Sequence, residues 1–355
     1  MSLFDPDRSA ERLPVSLITG FLGSGKTTLL NRLVKQPALA NAVVIVNELG
    51  EIGLDHLLVE RIDGETVLLS GGCLCCAVRS DLESTLRDLL ARRREGSLPP
   101  FARVLIETTG LADPAPIAQL LLNHPLVSGF FRLDGVVATV DAVHGGRQLD
   151  EHAEALKQVA IADRLLITKA DLVASEEGAL AGLRQRLGQA NPGAPIALVT
   201  HGEIAPETLI DIGWSGAGTS AAASWLAAER YPASAAPEPQ DHDHHPHPEA
   251  HPLSPRLSAF CLTRETPLDW LAFQAWLGDW RQRRGADLLR VKGILNISGE
   301  SGPLVIHGIH HVFHPPVRLG QWPDADRRSR VVFVTRDLPA TEILASWKDA
   351  LGNEA

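Results

Sequence analysis

Cysteine is scarce and unevenly placed in this chain of 355 residues: there are four, and three of them fall between Cys73 and Cys76. A disulfide framework needs paired cysteines spread through the fold, so that class is excluded and a reducing compartment, the cytoplasm, is expected. Long apolar runs are also missing. No stretch approaches the roughly 18 uninterrupted apolar residues of a membrane span. The first residues carry Asp5, Asp7, Arg8, Glu11 and Arg12 where a signal peptide would have its apolar core. Excess positive charge is lacking too: 33 Lys and Arg against 43 Asp and Glu leave a net charge of −10. That counts against a nucleic-acid partner, because neutralising phosphates takes clustered Lys and Arg. The short run Arg92-Arg93-Arg94 reads as a solvated helix end.

What is present begins with a phosphate-binding loop. Gly20-Phe21-Leu22-Gly23-Ser24-Gly25-Lys26-Thr27 satisfies G-x-x-x-x-G-K-[ST], and it lies between an apolar run and a helical run, the context the pattern requires. Its glycines let the backbone close around phosphates, with N–H groups and a helix N-terminus turned to the anion. Gly23, Ser24, Gly25, Lys26, Thr27 and Thr28 are the expected nucleotide contacts. Lys26 reaches the β- and γ-phosphates as a catalytic group, and Thr27 offers its hydroxyl to Mg²⁺, an ion that takes oxygen ligands.

A second nucleotide signature is Thr168-Lys169-Ala170-Asp171. GTPases commonly carry Asn-Lys-x-Asp here, and the Asp171 carboxylate would accept from the guanine N1–H and exocyclic amine, two donors adenine cannot present together. Thr168 stands where Asn is usual, which shortens the side chain and removes the amide. Two segments look like sensors of the γ-phosphate: Asn47 to Asp55, with Glu48 as a candidate Mg²⁺ ligand, and Glu107 to Asp113. Glu107, at a strand tip, can hold the hydration shell of Mg²⁺ or position water, and Gly110 allows close backbone approach.

Residues 15 to about 210 alternate apolar runs with helical patterns. Strands are expected at Val15–Thr19, Ala42–Asn47, Thr66–Leu69, Arg103–Glu107, Gly135–Asp141, Arg164–Thr168 and Pro195–Val199. The alternation predicts an α/β fold with a mostly parallel sheet flanked by helices. The expected organisation is an N-terminal tail (1–13), a nucleotide-binding domain (14–210), a flexible His-rich linker (211–255) and a smaller α+β domain (256–355). In the last, strands are expected at Leu257–Thr263, Leu288–Ile297, Leu304–Phe313 and Val331–Thr335. The helices are Leu268–Arg284, with Thr266 as cap and Asp269 completing a capping box, and Thr341–Leu351.

Cys73, Cys75 and Cys76 can supply three thiolates to a transition metal, and thiolates suit Zn²⁺, Co²⁺ or Cu(I) far better than Mg²⁺. For a fourth position Glu51 is the first choice, because it would tie metal occupancy to nucleotide state, while Glu83, His124 and water stay open. Cys261, alone in an expected strand, reads as a small core residue. The tract His242, His244, His245, His247 and His251, interleaved with Asp241, Asp243 and Glu249, suits auxiliary metal collection. His307, His310, His311 and His314 read as surface or packing residues.

G-F-L-G-S-G-K-T-T, N-E-L-G-E, G-G-C-L-C-C, E-T-T-G-L-A-D-P, V-D-A and T-K-A-D, followed by L-L-R-V-K-G from Leu288 to Gly293, resemble the CobW family of P-loop GTPases, in particular its YjiA-like members. The resemblance implies a GTP-hydrolysing protein with a CobW-type C-terminal domain that delivers zinc, cobalt or another metal to a client metalloprotein. Zinc delivery is the first expectation and insertion of cobalt or another metal into one enzyme the second, with a small-molecule kinase a distant third. No water-positioning Gln or built-in arginine finger is evident, so intrinsic hydrolysis should be slow and should rise when a client or a second protomer docks.

Overall fold

A computed structural model of the chain describes residues 11–46, 77–173, 178–213, 219–232 and 257–352. The expected strand at Thr66–Leu69 lies outside them. One sheet is parallel throughout, in the order β2 (Ala42–Val46), β3 (Arg103–Glu107), β1 (Leu13–Gly20), β4 (Phe131–Asp141), β5 (Arg164–Thr168), β6 (Ile196–Leu198). Successive residues of a strand face opposite sides. Val15 and Leu17 therefore pack under α2 (Ala77–Glu95) and α3 (Ala115–Asn123), and Ile18 packs with α1 (Lys26–Leu33) on the other face. α4 (Pro125–Ser128), α5 (Gly145–Glu151), α6 (Ala153–Ile161) and α7 (Ala179–Ala190) complete the described helices of this unit. With β1 central and β3 and β4 at its sides, the loops leaving β1, β3 and β5 emerge along one carboxyl edge, where open α/β sheets bind ligands.

β4 begins four residues earlier than expected. Its first turn of sequence carries Arg132 and Asp134, which masked the strand pattern, but both charges are neutralised inside: Asp134 is fully buried and accepts from Ser16 Oγ (3.0 Å), Arg103 (3.1 Å) and Arg132 (3.2 Å).

The second sheet is antiparallel, in the order β10 (Val312–Phe313), β9 (Leu304–Ile309), β8 (Leu288–Leu295), β12 (Ser329–Arg336), β7 (Leu257–Arg264), with β11 (Val317–Arg318) on β9. Both its faces are covered. Phe260, Leu262, Val291, Val331 and Phe333 pack under α9 (Trp270–Arg284) and α10 (Ala340–Leu351), where Trp276 and Trp347 meet edge to face at 5.0 Å and Ser346 accepts from both Trp276 and Trp280. The alternate residues Cys261, Leu289, Ile294, Val332 and Val334 share a core with the helices of the first unit. Burial pushes the Cys261 thiol up to about 11, as suits a packing cysteine.

Three expectations are corrected. α9 starts at Trp270 and its cap is Asp269, which accepts from Ala272 N at 2.8 Å, whereas the Thr266 hydroxyl is buried without a partner. The reason is that Leu268 is tied in extended form to the chain beyond β8, through Asn296 O and Ser298 N, which postpones the helix. The expected strand Leu304–Phe313 is a hairpin, because His310 adopts φ 54° and turns the chain between β9 and β10. Finally, part of the stretch read as linker is structured: α8 (Thr219–Leu226) and the turn after it bury Ala222, Trp225, Leu226 and Tyr231.

α8 covers the junction of the two sheets, and there a charge cluster is buried. Asp163, just before β5, is hydrogen-bonded by Val136 N and paired with Arg290 and with Lys292 Nζ (3.0 Å) from β8. Lys292 also donates to Trp225 O and lies 4.9 Å from the centre of the Trp225 ring. The two cations hold the Asp163 carboxyl far below the usual carboxylate range despite its burial. Burial, with the Arg290 guanidinium alongside and Asp163 opposing, lowers Lys292 to about 8, and burial with Arg290 holds His307 beside it well below the ordinary histidine value, hence neutral. Removing Asp163 strands both cations. Asp163→Ala is expected to cost about 3–5 kcal/mol, measured by urea unfolding, with partial recovery in Asp163→Ala combined with Lys292→Met.

Candidate functional site

Gly20 ends β1 at φ 140°, and a Cβ there would lie 2.2 Å from Thr139 Oγ1 and 2.4 Å from Thr139 O. The chain can pass β4 this closely only as glycine. Gly23 (φ 73°) and Gly25 (φ 86°) are left-handed and fold the loop back, with Ser24 N donating to Phe21 O. Gly25 is also the N-cap of α1 and brings no side chain, so the first-turn N–H groups meet no capping oxygen from it. Lys26 is buried inside the loop, its Nζ on the carbonyls of Gly20 (2.8 Å) and Phe21 (3.2 Å). Burial lowers its pKa, and the charge of Glu107 opposes the shift. Free helix N–H groups around a buried cation suit a polyanionic phosphate. Thr27 and Thr28 are exposed at the mouth.

The tip of β3 meets this loop. Thr27 Oγ1 donates to Glu107 Oε1 at 2.7 Å, which assembles a hydroxyl and a carboxylate of the kind a hard divalent cation takes. Thr108 N donates to Ile18 O, and a Cβ on Gly110 would come within 2.6 Å of Leu22 N, so the segment after β3 lies directly on the phosphate loop. It is held from the other side by Gln158 of α6, which is buried and donates to Gly110 O (3.1 Å) and Ala112 O (3.0 Å). Sequence reasoning missed Gln158, because nothing in a helical run points to a partner 48 residues away. Asp113, which ends the segment, accepts from Ala115 N at the start of α3 and faces Lys157 (3.4 Å) and His310 of the second unit (3.9 Å).

At the tip of β5 the missing asparagine is replaced in part. Thr168 Oγ1 donates to Ser24 O in the phosphate loop at 2.7 Å, and Ser24 Oγ in turn bonds Thr139 at 2.7 Å. The shorter side chain thus keeps a tie between the two loops that the loss of the amide put in question. Lys169 is left-handed (φ 56°) and its Nζ sits 2.7 Å from Asp141, whose carboxylate also accepts from Val143 N and His144 N and is lowered by these contacts against its burial. Asp171 is the second residue of a short 3₁₀ turn, Ala170–Val173, with His201 Nδ1 3.6 Å from its carboxylate.

The structure therefore brings together Gly23, Ser24, Gly25, Lys26, Thr27, Glu107, Gly110 and Thr168, with Lys169 and Asp171 beside them. Glu48, Glu51, Cys73, Cys75, Cys76, His242, His244, His245, His247 and His251 lie outside the described residues. His124, at the end of α3, is paired with Glu83 of α2 at 3.2 Å. Among the described residues no group of three or more metal-ligating side chains forms.

Residues 14–198 match the family described as CobW/HypB/UreG, nucleotide-binding domain, and residues 257–351 match the cobalamin synthesis protein cobW C-terminal domain. The chain belongs to the CobW family of P-loop GTPases. It is 32% identical to the zinc chaperone YjiA of Escherichia coli, over 94% of this chain and 98% of that protein, and 31% identical to the zinc chaperone CobW of Pseudomonas aeruginosa, over 98% and 93%. A crystal structure of the Zn(II)-bound YjiA GTPase of E. coli superimposes with a TM-score of 0.68 at 28% identity, covering 96% of this chain and 99% of that one. The two sheets and their helices are thus a CobW-family GTPase unit and a separate antiparallel C-terminal domain.

Gln158 yields a local test in this GTPase. Gln158→Leu removes both donors from the Gly110 and Ala112 carbonyls, each bond being worth about 1 kcal/mol. Hydrogen exchange of residues 110–115 is expected to accelerate, while α7 and the C-terminal sheet keep their protection.

Proposed function

We propose that this GTPase is a metallochaperone: it binds a transition metal, zinc in the first place, at Cys73, Cys75 and Cys76, and passes it to a client metalloprotein under control of bound GTP. The observation that carries the reading is the convergence of a buried Lys26, the Thr27–Glu107 pair and the Thr168–Ser24 tie on one loop. The names of the relatives, zinc chaperones with this domain pair, support the metal half.

The roles follow from the chemistry. Lys26 Nζ, now spent on two loop carbonyls, exchanges them for phosphate oxygens, and the amides of Gly23 to Thr28 close round the same charge. Thr27 and Glu107 are the residues that would hold Mg²⁺, which neutralises charge on the phosphates when bound. Asp171 selects guanine. Gly110 lets the segment after β3 approach the γ-phosphate, so that Gln158 and Asp113 feel whether it is there. Glu51 remains the first choice for completing a labile site with the three thiolates, since a fully closed four-cysteine site would be structural. His124, already engaged by Glu83, is the weaker choice.

Coupling between metal and nucleotide must be reciprocal. GTP affinity and turnover are therefore expected to change when stoichiometric Zn²⁺ is added to the wild type, and not when it is added to a triple Ser substitution at Cys73, Cys75 and Cys76. The same titration with Co²⁺ separates zinc delivery from the alternative, insertion of cobalt or another metal into one enzyme. Independent binding of metal and nucleotide would sink the switch. Turnover without metal or client should fall below the 1–100 per second of kinases, measured as phosphate release. Lys26→Ala should abolish it.

A further inference from the structure

We propose that His201 is a positioning residue of the base site: its imidazole holds the Asp171 carboxylate with both oxygens toward the purine edge, and it thereby sets the preference for guanine over bases lacking the exocyclic amine. The inference rests on the reading of Asp171 as the base-selecting group.

The turn that carries His201 is built with unusual economy. Val199 N donates to Ile167 O, so the chain leaving β6 runs beside the tip of β5, and Glu203 N closes a tight turn on Thr200 O. His201 (φ 54°) and Gly202 (φ 77°) are its central residues, both left-handed, as a type I′ turn requires. Gly202 is forced, since a Cβ there would lie 3.2 Å from Thr28 O and 3.2 Å from Arg32 Cγ in addition to its unfavourable φ. The turn therefore leans on the first turn of α1, immediately behind the phosphate loop. No such packing constraint explains the histidine. The left-handed backbone does not select it either, since His310 adopts the same conformation in the other hairpin turn; what distinguishes His201 is the group its ring faces.

The task is visible in the direction of the ring. The side chain is largely exposed, yet its Nδ1 is turned to Asp171 Oδ2 at 3.6 Å. The neighbouring cation Lys169 is committed to Asp141, and Arg32, Lys35 and Glu203 line a common groove beside the turn. His201 is thus the group placed to steer Asp171. A carboxylate accepting from both N1–H and the exocyclic amine needs its two oxygens in the plane of the base, and a contact at one oxygen biases that rotation.

The experiment compares equilibrium affinities for GTP and ITP, whose base keeps N1–H and lacks the amine, in the full-length protein. His201→Asn preserves a left-handed turn but cannot reach Asp171. It is expected to weaken GTP by about two- to fivefold, the size of one exposed ion-pair contact, with a much smaller change for ITP, so that discrimination between the two falls. Equal weakening of both would mean a purely structural turn, and unchanged or tighter GTP binding would mean no positioning role; either result overturns the proposal. Asp171→Asn is measured alongside. If it leaves the GTP to ITP ratio of the wild type intact, the base-site reading itself fails. If it collapses the ratio while His201→Asn does not, only the role of His201 fails.

Discussion

The Asp163 carboxylate is the interaction on which the relation between the two units depends. It is supplied by the loop entering β5 of the GTPase sheet, and its partners Arg290 and Lys292 lie on β8, the central strand of the other sheet. Burying an ion pair gives little net stability in itself, because desolvation cancels most of the attraction. What it does is penalise every arrangement in which the pair is not made. The apolar face shared by Leu289, Ile294, Val332 and the GTPase helices could slide by a residue with modest loss, whereas the charges could not. The cluster thus fixes the register of two otherwise greasy surfaces, and with it the position of the hairpin turn at His310.

That position matters because the turn touches the segment after β3, the one proposed to sense the γ-phosphate. Asp113 closes the stretch that begins at Glu107, and its carboxylate faces both Lys157 of the GTPase unit and His310 of the C-terminal unit. Gln119 of α3 approaches His311 next to it. A displacement of Gly110 toward or away from a γ-phosphate would therefore be felt at α3 and passed to β9 and β10 through a short chain of polar contacts. His310, whose pKa is lowered chiefly by burial, meets Asp113 by packing and not by a hydrogen bond. Its Nδ1–H donates to Ala286 O at 2.9 Å. A rigid register behind it, set by Asp163, is what would let a small shift be transmitted instead of absorbed.

The phosphate loop was legible in the sequence because its geometry demands particular residues at particular positions. Gly20 and Gly25 are required by the backbone itself, and a pattern of requirements is readable without knowing the fold. The strands at Arg103–Glu107 and Arg164–Thr168 were legible for a similar reason, being short uninterrupted apolar runs. Charged segments inside the sheet were not: Arg132 and Asp134 hid the start of β4, because besides each other their neutralising partners come from β3 and from the distant loop at Asp211. Lys292-Gly293 could be picked out only as a motif, and its role needed Asp163, whose pairing with Arg290 spans 127 residues. Gln158 and His201 belong to the same class, side chains whose meaning is given by a neighbour the chain brings from far away.

The replacement of asparagine by Thr168 illustrates how such a site tolerates change. An asparagine at this position can bridge from the base loop to the phosphate loop with an amide, and its absence alone would argue for a weakened nucleotide site. Here the threonine hydroxyl reaches Ser24 O directly, which requires the tip of β5 to lie close to the loop. Gly25 contributes its left-handed turn (φ 86°) and not space, since a built Cβ there would sit at ordinary contact, 3.6 Å, from Thr168. The shorter bridge is also stiffer, having one rotatable bond to order instead of two, so less side-chain entropy is lost in holding it. The departure from the usual motif is thus a local exchange of reach for proximity, and the function of the bridge survives it.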